Sequence, residues 1–282
     1  MSGSEEWQNV AVKTLVQLSG KTFRFGRRKL RFRPHSLSLR NYLKLSLPSP
    51  PLSVDYTPLA SRTLADIYGN DQLGDCVIAC IGHILGVLTA NANQEVPLSL
   101  NQIIKLYSAI GGYVPGDPNT DNGAVPTDAL NYIEKVGYEI LPEHKIAGYL
   151  AVNSDDPVEC RIAIWLFENL MYGVDLPDGW VNPMPSGSGF IWDYAGAPDP
   201  QNGHCFGGFG YNPSGIKIDT WGMIGTCTDQ ATKFYCSPGN QGELYTALSI
   251  DLVKRATLKA PSGFDWSQLV ADFDAIGHGK IM

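Results

Sequence analysis

The chain has 282 residues, 44% of them hydrophobic and 17% charged, which is enough apolar material for a folded core. Its 30 glycines and 19 prolines imply many loops and argue against an all-helical bundle. The charge is uneven, because residues 1–45 carry a net charge of +8 and the rest of the chain carries −15. A basic arm on an acidic body can pack on that body, bind a polyanion such as nucleic acid, or dock on a partner. We expect the basic arm, residues 13–44, to serve one of these uses.

The amino-terminal part of the sequence predicts extended structure. TFRFGRRKLRFRPH (22–35) alternates apolar and basic residues, which is typical of a strand with one wet face. LPSPPLSVDYTP (47–58) then predicts a Pro-rich connector along a surface. The opening MSGSEEWQNV has no signal-peptide pattern, and the longest apolar run (77–90) is too short to span a bilayer. We therefore expect a cytoplasmic or virion-associated protein with no membrane segment.

Helical patterns dominate the first half of the body. CVIACIGHILGVLTAN (76–91) is apolar on nearly all sides, which predicts a buried helix with Asp75 as a possible cap. Three further helices are predicted, at 99–112, 126–137 and 156–170. The loop between the helices predicted at 99–112 and 126–137, DPNTDNGAVPTD (117–128), partly matches a calcium-binding loop. The position of its glycine and the identity of its last acidic residue do not fit that pattern. We interpret it as a polar turn.

The second half of the sequence favours strands. MYGVDLP (171–177) predicts a strand, 180–203 a long Gly/Pro-rich loop, and 204–222 a hairpin around the turn NPSG. TKFYCS and GELYTALSIDL predict further β or mixed segments, and 265–277 a carboxy-terminal helix. The predicted class is α+β. The predicted divisions are residues 1–63 (arm and connector), 64–170 (helical lobe) and 171–282 (β lobe with the last helix).

The cysteines and histidines give no metal template. The six cysteines are Cys76, Cys80, Cys160, Cys205, Cys227 and Cys236. Their spacings fit no zinc site, and without an export signal we expect free thiols and no cofactor. Cys80 and Cys205 are expected to be packing residues. His83, seven residues after Cys76 on nearly the same helical face, is expected to be a buried, hydrogen-bonded structural residue.

Three separated pieces together indicate nucleophilic chemistry. Cys76 opens a buried helix, His204 begins a predicted strand in GHCFGGFGY, and Asp219 follows on the return strand in IDTWG. A helix amino terminus and a nearby imidazolium favour the thiolate, and can bring a thiol pKa from about 8.5 down to about 3.5–7.5. The histidine can then protonate the leaving group while a third residue fixes its tautomer.

This arrangement resembles the papain-like cysteine peptidase superfamily over about residues 64–250. Gly203-His204 with Gly210-Tyr211 matches the family's GHAVxxVGY, and Asp219-Thr220-Trp221-Gly222 stands where Asn-Ser-Trp-Gly would. TDNGAVPTDALNYIEKVGY (120–138) is similar to the family's Gly-rich turn and following helix. GNDQLGDC, LYSAIGGY and GVDLPD are similar to papain-like proteins of unassigned function in bacterial and phage sequences.

The resemblance implies a fold and a set of roles. It implies a helical lobe with a buried central helix, an antiparallel β lobe and a cleft between them. Cys76 would be the nucleophile, His204 the acid and base, and Asp219 the orienting residue, with Trp221 shielding the His–Asp bond from water. The family's oxyanion Gln falls at Asn70.

The same region departs from the family at three positions. Asn70 stands at the position of the family's oxyanion Gln, and Gln72, two residues closer to the cysteine, is the alternative donor. Val77 replaces the usual aromatic residue, and Asp75 beside Cys76 opposes thiolate formation unless it caps the helix.

Two classes of function follow from the sequence. The first is a Cys-His-Asp hydrolase of peptide or other amide bonds, with a peptide or protein as substrate, or an acyl transferase of the transglutaminase type. The second is an inactive papain-fold protein used for binding or assembly, for example as a virion or host-interaction component. In the first class the basic arm would lie over the acidic body as an inhibitory or positioning segment.

Overall fold

The computed structural model describes residues 14–16, 22–29, 37–138, 144–249 and 263–275. Within these ranges the chain forms an α+β fold in which helices pack on an antiparallel-rich sheet, as the sequence predicts. Several basic residues of the predicted arm lie outside the described residues, namely Lys13, Lys21, Arg31 and Arg33. No helix among the described residues is long and apolar enough to cross a membrane.

The helices begin where the sequence supplies caps or proline. Ser99 forms a reciprocal capping box with Gln102, and Asp156 accepts hydrogen bonds from the first turn of its helix. Pro126 and Pro157 occupy first helical positions, where a missing N–H costs nothing. The α-helices are α1 (Ser61–Leu64), α2 (Cys76–Asn91), α3 (Leu100–Gly111), α4 (Pro126–Lys135), α5 (Pro157–Phe167), α6 (Asp178–Val181), α7 (Asp229–Tyr235) and α8 (Trp266–Ala275).

The strands form one large sheet and one small hairpin. They are β1 (Thr14–Val16), β2 (Thr22–Arg24), β3 (Val54–Asp55), β4 (Ile146–Ala151), β5 (Leu170–Pro177), β6 (Ile191–Trp192), β7 (Pro198–Asn212), β8 (Gly215–Thr220), β9 (Met223–Cys227) and β10 (Glu243–Ser249). The large sheet runs β4-β10-β5-β7-β8-β9-β6, with β3 also paired to β7, and β1 pairs with β2. Only the β6–β9 pairing is parallel among these strands.

Strand β4 is absent from the sequence prediction, which has only helices in this part of the chain. Its residues IAGYLA are almost all buried, and the strand pairs antiparallel with β10. A short, continuously apolar run does not show a period of two, because both of its faces are covered. Pairing with a segment about 100 residues later, rather than any local pattern, makes it a strand.

The core has two parts, one on each side of the sheet. Helix α2 is buried along almost its whole length and packs on β7, together with Met171, Cys205 and Phe209. The second part lies on the other face and includes Trp192 and Trp221. Because β7 is covered on both faces, the residues at the amino end of α2 and those in the middle of β7 are held against each other. This contact positions the candidate site.

Candidate active site

Cys76 is the first residue of α2 and is fully enclosed, with 1% of its surface exposed. The preceding residue, Asp75, occupies the N-cap position but its side chain makes no capping hydrogen bond. The backbone N–H of Gly74 donates to Oδ1 of Asp121 at 2.9 Å, which fixes the turn that leads into the helix. The helix amino terminus therefore carries the thiol, as the sequence predicts, but in a sealed environment.

His204, which the sequence predicts at the start of a strand, lies in the middle of β7 because that strand already begins at Pro198. It lines the same small cavity as Cys76. This cavity has a volume of about 10 Å³, so it holds one water molecule at most. Nε2 of His204 is 2.8 Å from Oγ1 of Thr220, and Nδ1 is buried without a hydrogen-bond partner. The indole of Trp221 stacks on the imidazole with ring centroids 4.4 Å apart. One ring nitrogen is thus held in place and the other is left unengaged.

The contact predicted between His204 and Asp219 is replaced by the contact to Thr220. Asp219 is completely buried, and its Oδ2 lies 2.9 Å from Nδ1 of His83, an ion pair rather than a well-directed hydrogen bond. The other ring nitrogen of His83 is 2.9 Å from the carbonyl oxygen of Asp66. His83 is therefore the buried, bonded residue that the sequence predicts, but its acidic partner is the residue expected to orient His204.

A β-bulge explains the exchange of Asp219 for Thr220. Strands β7 and β8 pair Gly210 with Lys217, but the register shifts and the next pairs are Gly208 with Ile218 and Gly207 with Asp219. Directly opposed residues share one face of a sheet, and a shift of one residue moves side chains to the other face. Without the bulge, Asp219 would share the face of His204. With it, Thr220 does.

Asn70, the predicted oxyanion donor, is buried and lines the cavity at Cys76. Its side-chain amide donates to the carbonyl of Leu73 at 3.0 Å and to the carbonyl of Arg24 at 3.2 Å. Gln72, the alternative, is exposed and is not part of the cavity lining. Of the two candidates, Asn70 is the one that lines the same cavity as Cys76.

Residues 23–28, here called the cleft segment, lie across the site in an extended conformation. On one side, Ala124 donates its N–H to the carbonyl of Gly26 and accepts from the N–H of Arg28, both at 2.8 Å. On the other side, the N–H of Arg27 donates to the carbonyl of Gly203 at 3.0 Å. The backbone next to His204 and the loop before α4 thus hold the segment from both sides.

The cleft segment is pressed onto the residues around Cys76. A Cβ atom placed on Gly26 would lie 1.6 Å from the carbonyl oxygen of Gly74, so only glycine fits there. The ring of Phe25 meets the imidazole of His204 edge-on, with centroids 5.7 Å apart. Of the three uses predicted for the basic arm, packing on its own body is the one that the described residues show.

The charges along the cleft segment are matched by acidic groups of the body. Nη1 of Arg24 is 2.8 Å from Oδ2 of Asp121, in the loop interpreted from sequence as a polar turn. Oδ1 of Asp121 also accepts the hydroxyl hydrogen of Tyr107 at 2.7 Å. Arg27 is buried and pairs with Asp175 and Glu243. Asp121 therefore connects the cleft segment to α3 and to the turn before Cys76.

Burial controls the ionisation of the site. It raises the pKa of the Cys76 thiol far above its usual range. The adjacent Cys205 thiol adds to this, and backbone contacts from Gly26 and Cys205 oppose it. Burial also lowers the pKa of His204 to about 3. Burial raises the pKa of Asp75 well above its usual value, which favours the neutral acid and weakens its predicted opposition to a thiolate. In this closed arrangement the pKa shifts favour a neutral Cys76 thiol and a neutral His204 imidazole.

Burial and the contact between His83 and Asp219 act in opposite directions on the pKa values of both residues. For His83, burial acts to lower the pKa, but the Asp219 carboxylate outweighs it and the net shift is upward. For Asp219, burial raises the pKa more than His83 lowers it.

The described residues contain no group of three or more His, Cys, Asp or Glu side chains placed to hold a metal ion. All six cysteines are free thiols and all are buried.

Comparison with solved structures identifies the fold. Xylellain, a cysteine protease from Xylella fastidiosa, superposes with a TM-score of 0.63 at 15% identity, covering 79% of this chain and 95% of that one. Digestive procathepsin L 3 of Tenebrio molitor larval midgut gives 0.52 at 15% identity, covering 76% of each chain. The proform of the ragweed pollen cysteine protease Amb a 11 gives a TM-score of 0.51 at 17% identity, covering 72% of this chain and 67% of that one. No family model and no curated protein sequence matches the chain. The chain thus has the papain-like fold that its motifs resemble.

Proposed function

We propose that this chain is a papain-fold cysteine hydrolase of peptide or other amide bonds, held in a closed state by its own cleft segment. The proposal is carried by one observation. The extended cleft segment lies across the site and is hydrogen-bonded to the body on both sides, and its Gly26 packs against the turn that bears Cys76. A groove that pairs with a peptide backbone beside a helix-start thiol and an imidazole has the parts that amide-bond cleavage requires.

The residues around the thiol can divide the reaction between them. The unengaged Nδ1 of His204 takes the proton from Cys76, while Nε2 keeps its hydrogen and donates it to Thr220. The sulfur attacks the amide carbon, and His204 protonates the departing amine, leaving a thioester. Water, deprotonated by His204, then attacks the thioester and releases the acid and the free thiol. Thr220 takes the orienting role that the sequence gives to Asp219.

Opening of the groove would allow Cys76 and His204 to become charged. Removing the cleft segment admits water to Cys76 and His204, and solvation moves both pKa values back toward their ordinary ranges. It also frees the Asn70 amide hydrogen that is now bonded to the Arg24 carbonyl. An amide donor that hydrogen-bonds to the oxyanion in the transition state increases the rate by about 10²–10³-fold. The closed state is in this proposal a latent form.

Thiol reactivity tests the proposal. Iodoacetamide should modify Cys76 faster than the other five cysteines in a full-length Gly26→Ala chain, and His204→Ala should remove that advantage. The same chain should release amine from unstructured peptides, and Cys76→Ala should abolish this whereas Cys227→Ala should not. Labelling of Cys76 no faster than the other thiols, together with no peptide turnover, would overturn the proposal.

One observation favours the alternative of a binding or assembly protein. The segment that covers the thiol contains Arg27, which forms a buried ion pair with Asp175. Displacing the segment breaks this pair, which costs free energy. In that case no variant that opens the groove gains amidase activity, and the closed state is the functional form. The acyl-transferase alternative is distinguished by adding a primary amine, which would appear in the product by mass.

A further inference from the structure

The side chain of Arg27 enters a closed acidic pocket of the body. Nη1 is 2.7 Å from Oδ1 of Asp175, and Nε is 3.3 Å from Oε1 of Glu243. Nη2 donates to the carbonyl oxygen of Gln241. None of the Arg27 side-chain surface is exposed. A planar guanidinium with three donors in use is specifically recognised here, because the donors diverge toward three separate acceptors.

The pocket is built by the sheet rather than by the cleft segment. Asp175 belongs to β5 and Glu243 to β10, and Glu243 pairs with Gly173 on the neighbouring strand. A Cβ on Gly173 would lie 2.6 Å from Cγ of Glu243, so glycine makes room for this carboxylate. Two buried carboxylates side by side are costly without a cation. Burial raises the pKa of both, and Arg27 opposes the shift at each.

The pocket is adjacent to the reacting groups. The N–H of Arg27 is bonded to the carbonyl of Gly203, the residue before His204, and the preceding residue Gly26 lies against the turn of Cys76. A peptide that takes the place of the cleft segment would therefore place one side chain in this pocket.

We propose that Asp175 and Glu243 form a specificity subsite for a basic side chain, so that the substrates are peptides carrying arginine next to the reacting position. This rests on the proposed function, because it assigns the substrate class of the same groove. The competing explanation is that the two carboxylates serve only to anchor the segment. An anchor alone gives no selectivity toward peptides added from solution.

The test uses the full-length chain with Gly26→Ala and Arg27→Ala, which displaces the segment and empties the pocket. Fluorescent peptides of the sequence TFRFGRRK are compared with peptides in which citrulline, neutral and nearly isosteric, replaces the first of the two adjacent arginines. Arginine should bind at least 10-fold more tightly, and Asp175→Asn should bring the ratio close to one. Asp155→Asn, an exposed acid with the same charge change, should leave the ratio as it was. Should the variant fail to fold by thermal melting, Arg24→Ala with Arg27→Ala loosens the segment without adding an atom.

The outcomes separate the two proposals. Equal binding of arginine and citrulline peptides overturns the subsite. Selective binding that depends on Asp175, without any turnover, supports the subsite and counts against the hydrolase. Selective binding with turnover of the arginine peptide supports both.

Discussion

Gly26→Ala is the sharpest perturbation that the structure offers. The added methyl group would lie 1.6 Å from the oxygen of Gly74 and 2.2 Å from its carbonyl carbon, and all of these are backbone atoms that cannot swing away. The cleft segment must therefore move off the site. The same Gly26 carbonyl accepts the Ala124 hydrogen bond, so the displacement also breaks the pairing to the loop before α4.

The expected size of the effect follows from the backbone bonds that the segment makes. Apart from its pairing with β1, four backbone hydrogen bonds join it to the described residues of the body: Arg24 N to Asn70 O, Ala124 N to Gly26 O, Arg28 N to Ala124 O and Arg27 N to Gly203 O. At about 0.5–1.5 kcal/mol each, they stabilise the closed state by about 2–6 kcal/mol. Losing even about 3 kcal/mol of this raises the open population by roughly 10²-fold.

Iodoacetamide labelling of Cys76, read by mass spectrometry of the native chain, measures this population. We expect the Gly26→Ala chain to be labelled at Cys76 at least about 100-fold faster than the unmodified chain. Gly187→Ala is the matched control, because a Cβ there meets nothing within 4 Å. An unchanged labelling rate in a folded Gly26→Ala chain would refute the view that the segment closes the site.

Three further outcomes follow from the site and its surroundings. Thr220→Val, which keeps shape but removes the partner of His204 Nε2, should lower kcat/KM of the opened chain at least about 10-fold with little change in KM. Through His204, acid should favour opening, because the pKa of His204 is about 3 when closed and rises on exposure, so this residue binds more protons in the open state. The raised pKa of buried Asp75 acts in the opposite direction. From pH 7 to 4.5 the His204 contribution alone raises the opening constant about 75-fold. The opening constant is measured by hydrogen exchange at the Arg28 amide, and His204→Gln should remove the part of its pH dependence that His204 causes. Tyr107→Phe removes a buried hydroxyl from Asp121 and should lower the free energy of unfolding in urea by about 1–3 kcal/mol, whereas an unchanged midpoint would contradict the anchoring role of that carboxylate.

Much of the fold could be predicted because its signals are local. The apolar run after Asp75 predicts α2 to the residue, and the turn NPSG predicts the hairpin of β7 and β8. Strand β4 could not be predicted, because its evidence is the pairing with β10 rather than its own pattern. The same limit applies to Arg27. Nothing in RFGRRK separates it from its basic neighbours, and its partners lie 148 and 216 residues away.

The choice between Asp219 and Thr220 shows where sequence reasoning fails at the site itself. The motif DTWG places both residues near the histidine, and the alternation of a strand requires that only one of them face it. Which one depends on a single bulged residue in β7, between Gly208 and Gly210. A run of glycines and aromatics gives no local sign of the bulge, although glycine in a strand interior is a general indication of one.

The closed state and the proposed reaction draw on the same groups. The cleft segment uses the Asn70 amide through the Arg24 carbonyl, the Gly203 carbonyl through the Arg27 N–H, and the acidic pocket through the Arg27 side chain. The amide belongs to a residue that lines the cavity at Cys76, the carbonyl belongs to the residue before His204, and the acidic pocket belongs to strands β5 and β10 of the same sheet. We therefore expect opening, substrate binding and activation of Cys76 to occur together, because one displacement frees all three kinds of group.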